Sequence, residues 1–224
     1  MSNSNVHSGG EAHGSVRSYL IGFALSVILT AASAIDWVAN LTGINDVVET
    51  VAGAERRGLR KTTPIFLPYL SGERTPHNDP YARGVFFGMG ADTTQADLAY
   101  AVLEGVAFAF ADGIDVLREA GSAIHDTTVV GGAARLPYWG PMLASALDIP
   151  LTYREGGEVG GAFGAARLGR LADTGEDPAV VCTAPKVSRV VEPVPALKEQ
   201  MAPRRAQFVD LYKNLKSSFR EFGK

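Results

Sequence analysis

The period of the apolar positions changes several times along the chain, and each change marks an element. From Thr93 to Ala120, residues Leu98, Val102, Val106, Phe110, Ile114 and Leu117 recur at helical spacing and predict one long helix with a single apolar face. Asp92-Thr93-Thr94 supplies its N-cap, Thr94 and Asp97 have the capping-box form, and Gly121 ends it. Gly105 and Gly113 inside the helix each cost about 1 kcal/mol against Ala, a cost that close approach of another helix or strand would justify. Beyond Gly121 the pattern alternates. A short apolar run, Thr127–Val130, meets Gly131-Gly132, and a helix follows over Pro137–Leu147. A second run, Ile149–Tyr153, meets a glycine turn over Gly156–Gly161, and a helix follows over Ala162–Leu171. This order predicts α/β organisation with parallel strands.

The flanks are less regular. Ile44–Thr63 predicts a helix followed by a basic loop, Arg56–Lys61, read as a solvated loop. Pro64–Leu70 is an apolar run broken by prolines, an edge strand or extended segment, and Ser71–Arg83 is a long loop. Residues 173–195 read as a Pro- and Val-rich connection. Ala196–Phe222 predicts a final amphipathic helix with Phe208, Leu211, Tyr212, Leu215 and Phe219 on one side, packed back on the domain. At the other end, residues 1–17 form a polar leader expected to be disordered. Tyr19–Ile35 carries no charge and admits three readings: a membrane helix, a secretory signal with an Ala32-Ser33-Ala34 cleavage-like triplet, or a buried helix. The membrane reading is not favoured, and a cytoplasmic protein is expected.

Composition narrows the chemistry. The 224 residues suffice for one well-buried domain or two small ones. A net charge of −3 gives no electrostatic footprint for nucleic acid. The single cysteine, Cys182, forms no intrachain disulfide and reads as a buried structural thiol; no metal-ligand cluster accompanies it. The strongest local signal is Val129-Val-Gly-Gly-Ala-Ala-Arg135. Glycines after a buried strand let a ligand approach the backbone, and the next helix aims its N-terminus there. The pattern is neither GxGxxG nor a Walker loop, and a tight turn that merely needs small residues explains it equally well. The turn at Gly156–Gly161 has the same ambiguity. Glu73, Asp79, Asp92, Asp97 and Glu104 read as loop, cap and helix residues. Ser71 and His77 share a loop without an acid beside them, so no catalytic constellation emerges.

Several segments resemble the FGGY carbohydrate kinases, and in particular their xylulokinase branch. Phe66–Pro80 (FLPYLSGERTPHNDP) is similar to that branch, and Gly84–Met89 with Asp97-Leu98 and Ala101–Glu104 resembles the second FGGY signature. Val130–Trp139 resembles the family's adenosine segment; Gly156–Gly160, Gly164–Leu168 and Ala202–Tyr212 follow in family order. The resemblance implies an incomplete C-terminal domain of the ribonuclease H/actin-like ATPase type, with ATP or ADP and Mg²⁺ as cofactors. It places Gly131, Gly132 and Ala133 at the adenosine, with Asp36 where relatives touch the adenine. It also marks two departures: Leu136 stands where relatives have Ser or Asn, and Ala133 replaces a frequent third glycine.

The family's phosphate loop, most of its sugar pocket and its catalytic Asp precede the point where the resemblance begins. The catalytic assignment is therefore none, the metal assignment none, and D-xylulose is expected to bind only if the N-terminal half is supplied. His13–Thr30 resembles the start of subunit IV of bacterial cytochrome o ubiquinol oxidase. The resulting expectation is a junction near Leu29–Ala32 and three parts: the leader 1–17, an apolar segment of foreign origin 18–30, and kinase sequence over 31–224.

Overall fold

The computed structural model describes residues 34–44 and 46–222. The expected leader, the apolar segment 18–30 and the proposed junction lie outside them. The last residues of the uncharged run, Ala34 and Ile35, are buried at the start of a helix, α1, over 34–42. No helix among the described residues is long and apolar enough to cross a membrane.

The core is organised around α3 (Gln95–Glu119). It starts two residues later than the predicted Thr93, with Thr94 as N-cap and a complete capping box to Asp97. Its buried face includes Tyr100, Leu103, Ala107, Phe108 and Ile114. Helix α2 (Val47–Arg57), capped by Asp46, lies along α3, and a two-stranded antiparallel ribbon lies across it: β1 (Ile65–Leu67) with β2 (Val85–Phe87). The sequence predicts no strand at β2. It forms because Phe86 stacks on the buried Phe66 at 4.5 Å between ring centroids, with Trp37 of α1 over both.

A second sheet has the order β3 (Thr127–Val129), β4 (Leu151–Arg154), β5 (Val187–Val191). The pair β3–β4 is parallel, as the alternation predicts; β4–β5 is antiparallel. The connection expected over 173–195 thus contains a strand, preceded by the short helix α6 (Pro178–Val181). Three of the residues of β5 are valines, yet they alternate with nothing apolar enough to announce a buried face, and β5 is an exposed edge strand. Between the strands run α4 (Trp139–Leu147), which begins two residues later than predicted because Pro137 belongs to the preceding turn, and α5 (Gly161–Thr174). The final helix, α7 (Pro195–Phe222), returns across α4, α3 and β1 and buries Met201, Phe208, Tyr212 and Phe219.

Two further expectations are corrected. Cys182 is exposed, because it caps the short α6 at the surface instead of facing the core. The basic segment 56–61 is not simply solvated: the Arg57 guanidinium donates to Asp97 at 3.2 Å, and Arg60 reaches Asp92 at 3.1 Å, so both cations hold the start of α3.

Asp97 is the buried end of that arrangement. Burial by itself would raise its carboxyl pKa, but hydrogen bonds from the Thr94 hydroxyl and amide and from Arg57 outweigh it and hold the group below the ordinary carboxylate range. Because the folded pKa lies below the unfolded value of about 3.9, the stabilisation is complete above that value and is lost as pH falls through the folded one. Asp97→Asn is expected to lower stability by about 2 kcal/mol at neutral pH. It should also flatten the loss of stability between roughly pH 4 and pH 2. Urea midpoints measured across that pH range check both; a midpoint equal to wild type at pH 7 would contradict them.

Candidate nucleotide site

Two glycine turns leave the carboxyl ends of the neighbouring parallel strands β3 and β4, the place where open α/β sheets collect ligands. After β3 the chain passes through Gly131 at φ +85° into a 3-10 turn over Gly132–Arg135. After β4 it passes through Gly156 at φ +71° into a 3-10 turn over Gly157–Val159, then through Gly160 at φ +48° into α5. These positive φ values require glycine at low cost.

The two turns are one structure. The Gly131 amide donates to the Gly157 carbonyl at 2.7 Å. A Cβ on Gly157 would stand 3.4 Å from the Val129 carbonyl oxygen, and one on Gly160 would stand 3.5 Å from the Gly131 backbone. Gly132 differs: an added Cβ would meet nothing within 4 Å among the described residues, so the space at that position is open. The sequence identified both glycine turns but contained no signal that they touch, since their contact depends on the parallel register Thr127 to Leu151.

The floor beneath them is rigid. Trp139, at the start of α4, is buried and donates from Nε1 to the Leu103 carbonyl of α3 at 2.9 Å. Gly140 sits so close to β4 that a Cβ there would lie 2.8 Å from the Tyr153 hydroxyl. Leu136 turns inward and is buried in the core. It therefore offers no group to a ligand above the turns, and it does not obstruct one.

Of the residues expected at the adenosine, Gly131, Gly132 and Ala133 lie together in the first turn. Asp36 lies exposed on α1, where the Asn40 side-chain amide donates to the Asp36 backbone carbonyl at 2.8 Å. No hydrogen bond among the described residues joins Asp36 to the glycine turns. His77, in the long loop, stacks on Tyr212 at 3.8 Å between centroids, and its amide donates to Glu73, which makes it a packing residue of that loop. Among the described residues no group of three or more His, Cys, Asp or Glu is placed to hold a metal ion.

Residues 18–172 match the sequence model of the C-terminal domain of the FGGY family of carbohydrate kinases. The chain belongs to that family. FGGY relatives include xylulose kinase of Escherichia coli K12, 44% identical over 193 residues, and xylulose kinase of Klebsiella pneumoniae, 43% identical over 194. These matches cover 85% and 86% of the chain but 40% of each relative, so the chain spans about two fifths of the length of these kinases. A crystal structure of a xyloylose kinase from Brucella ovis superposes with a TM-score of 0.72 at 41% identity, over 83% of this chain and 38% of that one. The architecture is thus the actin-like α/β fold of the FGGY C-terminal domain. The FGGY match begins at residue 18, the first residue of the apolar segment, and none of these relatives supports the likeness of residues 13–30 to an oxidase subunit.

Proposed function

We propose that the joined glycine turns bind the adenosine part of ATP or ADP, with Gly131, Gly132 and Ala133 against the nucleoside and Asp36 near the adenine, and that the chain is the nucleotide-binding portion of a xylulokinase-type kinase. The observation that carries the reading is the open space at Gly132, in one of two turns locked together by the Gly131–Gly157 hydrogen bond. At Gly132 the backbone carries no side chain and accepts a flat ring at van der Waals distance. Mg²⁺ would arrive with the nucleotide's phosphates, since the described residues provide no metal cluster of their own.

Phosphoryl transfer depends on positioning, on charge stabilisation and on a base that orients the accepting hydroxyl. In this reading the sugar, D-xylulose as in the named relatives, and the base belong to the part of those kinases beyond the two fifths matched here. The kinase reading also favours a cytoplasmic protein. The division into 1–17, 18–30 and 31–224 rests on the residues alone, and the family match from residue 18 favours an earlier start for the kinase part.

Calorimetric titration of the 224-residue chain with ADP and Mg²⁺ tests the site. Saturable binding is expected, and Gly132→Trp should weaken it at least tenfold. The open space at Gly132 lets the indole project without disturbing the sheet, so circular dichroism and the urea midpoint should stay at wild-type values. A folded chain that binds no ADP, or a Gly132→Trp chain that binds as well as wild type, would refute the assignment.

A further inference from the structure

A cavity of about 200 Å³ opens between the carboxyl end of α3, the carboxyl end of α4 with its cap Asp148, and the first half of α7. It lies at the opposite end of α4 from the glycine turns. Its lining comes from these three helices and that cap, so its walls need nothing from the part of the relatives beyond the matched two fifths. The floor is apolar: Phe108 and Met201 are buried, with the buried Leu147 beside them. An apolar cavity of roughly 150 Å³ takes benzene, so this one has room for a ring or a branched chain of that size.

The rim is polar and holds an unspent donor. Arg205 of α7 donates to Asp112 at 3.1 Å and to Asp115, both times through Nη2. Its Nε–H is buried and has no acceptor among the described residues. A buried donor of a charged group is costly when left unpaired, and native folds almost always pair it. Lys198 gives one of its three ammonium protons to Asp148 at 2.6 Å. Arg118 donates to the Leu147 carbonyl at 3.1 Å and to Asp115 at 3.4 Å. Ser145 adds nothing to the rim, because its hydroxyl already donates to the Pro141 carbonyl and accepts from the Val194 amide.

We propose that this cavity binds a small organic monocarboxylate with an apolar body, the carboxylate accepting from Arg205 Nε and the body resting on Phe108 and Met201. Charge selects this class. The cations Arg118, Lys198 and Arg205 are matched in number by Asp112, Asp115 and Asp148, with which they pair. The carboxyl ends of α3 and α4 add partial negative charge. A doubly charged phosphate would bring a second charge that nothing there compensates, and it has no apolar body to gain from the floor. A single carboxylate is met by the orphan Nε–H and by the unspent protons of Lys198, and bonds of that kind are roughly twice as strong as neutral ones. A neutral molecule of the same shape keeps the apolar contact and forfeits that advantage. The inference is independent of nucleotide binding.

Titration of the full 224-residue chain, ¹³C-labelled at its methionine methyls, with benzoate tests it. The Met201 methyl resonance is expected to shift and to saturate in the millimolar range. Benzyl alcohol and inorganic phosphate should each bind roughly tenfold more weakly. Arg205→Lys keeps the positive charge and removes the Nε–H, and should weaken benzoate roughly tenfold. Ala202→Phe is the second variant. Ala202 lines the cavity but is exposed, so the ring occupies the space without touching the core, and benzoate binding should vanish at an unchanged urea midpoint. A Met201 methyl that does not respond to benzoate would overturn the proposal. So would phosphate or benzyl alcohol binding as tightly as benzoate, or either variant binding benzoate as wild type does.

Discussion

Gly105→Ala is expected to destabilise the chain by about 3 kcal/mol. In most helices the same change stabilises by roughly 0.5–1 kcal/mol. Here a Cβ at position 105 would lie 2.2 Å from the Phe66 carbonyl oxygen and 3.1 Å from its carbonyl carbon. The obstacle is backbone, so no rotamer change relieves it. Strand β1 cannot withdraw easily either: Phe66 pairs with Phe86 in the ribbon, and its ring lies beneath Trp37 and Phe86. Gly53→Ala is the internal control. A Cβ there would meet the Ala96 methyl at 3.8 Å, an ordinary contact, so helix propensity should win and the midpoint should rise slightly. Urea unfolding of both variants decides the matter; equal midpoints for the two would contradict the close approach of β1 to α3.

The second large effect concerns Glu104 and Arg204. Glu104 is 1% exposed in the middle of α3. Burial pushes its carboxyl pKa up, and the Arg204 guanidinium pulls it back through contacts at 2.6 and 2.8 Å. Arg204 also donates to the Thr63 carbonyl at 3.0 Å and to the Pro64 carbonyl at 2.9 Å. Glu104→Gln leaves the half-buried Arg204 guanidinium without its counter-charge but with both carbonyls still bonded, and is expected to cost about 3 kcal/mol. Arg204→Met removes the counter-charge of a buried carboxylate and also strands the two carbonyls, so it should cost more, about 4–5 kcal/mol. Removing both charges with Glu104→Met and Arg204→Met should recover part of the loss but not all, because the carbonyls remain unpaired. Denaturation of the three variants tests the order. If Glu104→Gln proves more damaging than Arg204→Met, the carbonyls matter little.

The sequence makes elements with long periodic faces plain. Helix α3 is predicted within two residues at its start and with the correct cap, since Thr94 and Asp97 act locally. Helix α7 is likewise legible, as Phe208, Tyr212 and Phe219 fall on the face that is buried. Short elements are less so: β2 and β5 are each held by partners distant in sequence, Phe66 for one and Tyr153 for the other, and neither carries a decisive pattern of its own. The same limit applies to the site. Each glycine turn is visible as a turn, but the hydrogen bond that makes them one surface joins Gly131 to Gly157. Glu104 reads as an ordinary helix residue because its partner lies 100 positions away. The loop residue Asp79 is similar: it is buried because Tyr212, on α7, donates to it at 3.0 Å.

The contact between Arg204 and Pro64 spans 140 residues, nearly two thirds of the chain. During synthesis the β1 region, with Phe66 and Leu67, leaves the ribosome long before Arg204 is made. At elongation rates of about 5–20 residues per second the interval is on the order of 7–30 s. Until α7 emerges, the Glu104 carboxylate has no counter-charge and the Phe108 side of α3 lacks Phe208 above it. The nascent chain thus remains incompletely closed until its last helix appears, and premature termination within α7 would yield a product with α3 and β1 exposed to chaperones and proteases.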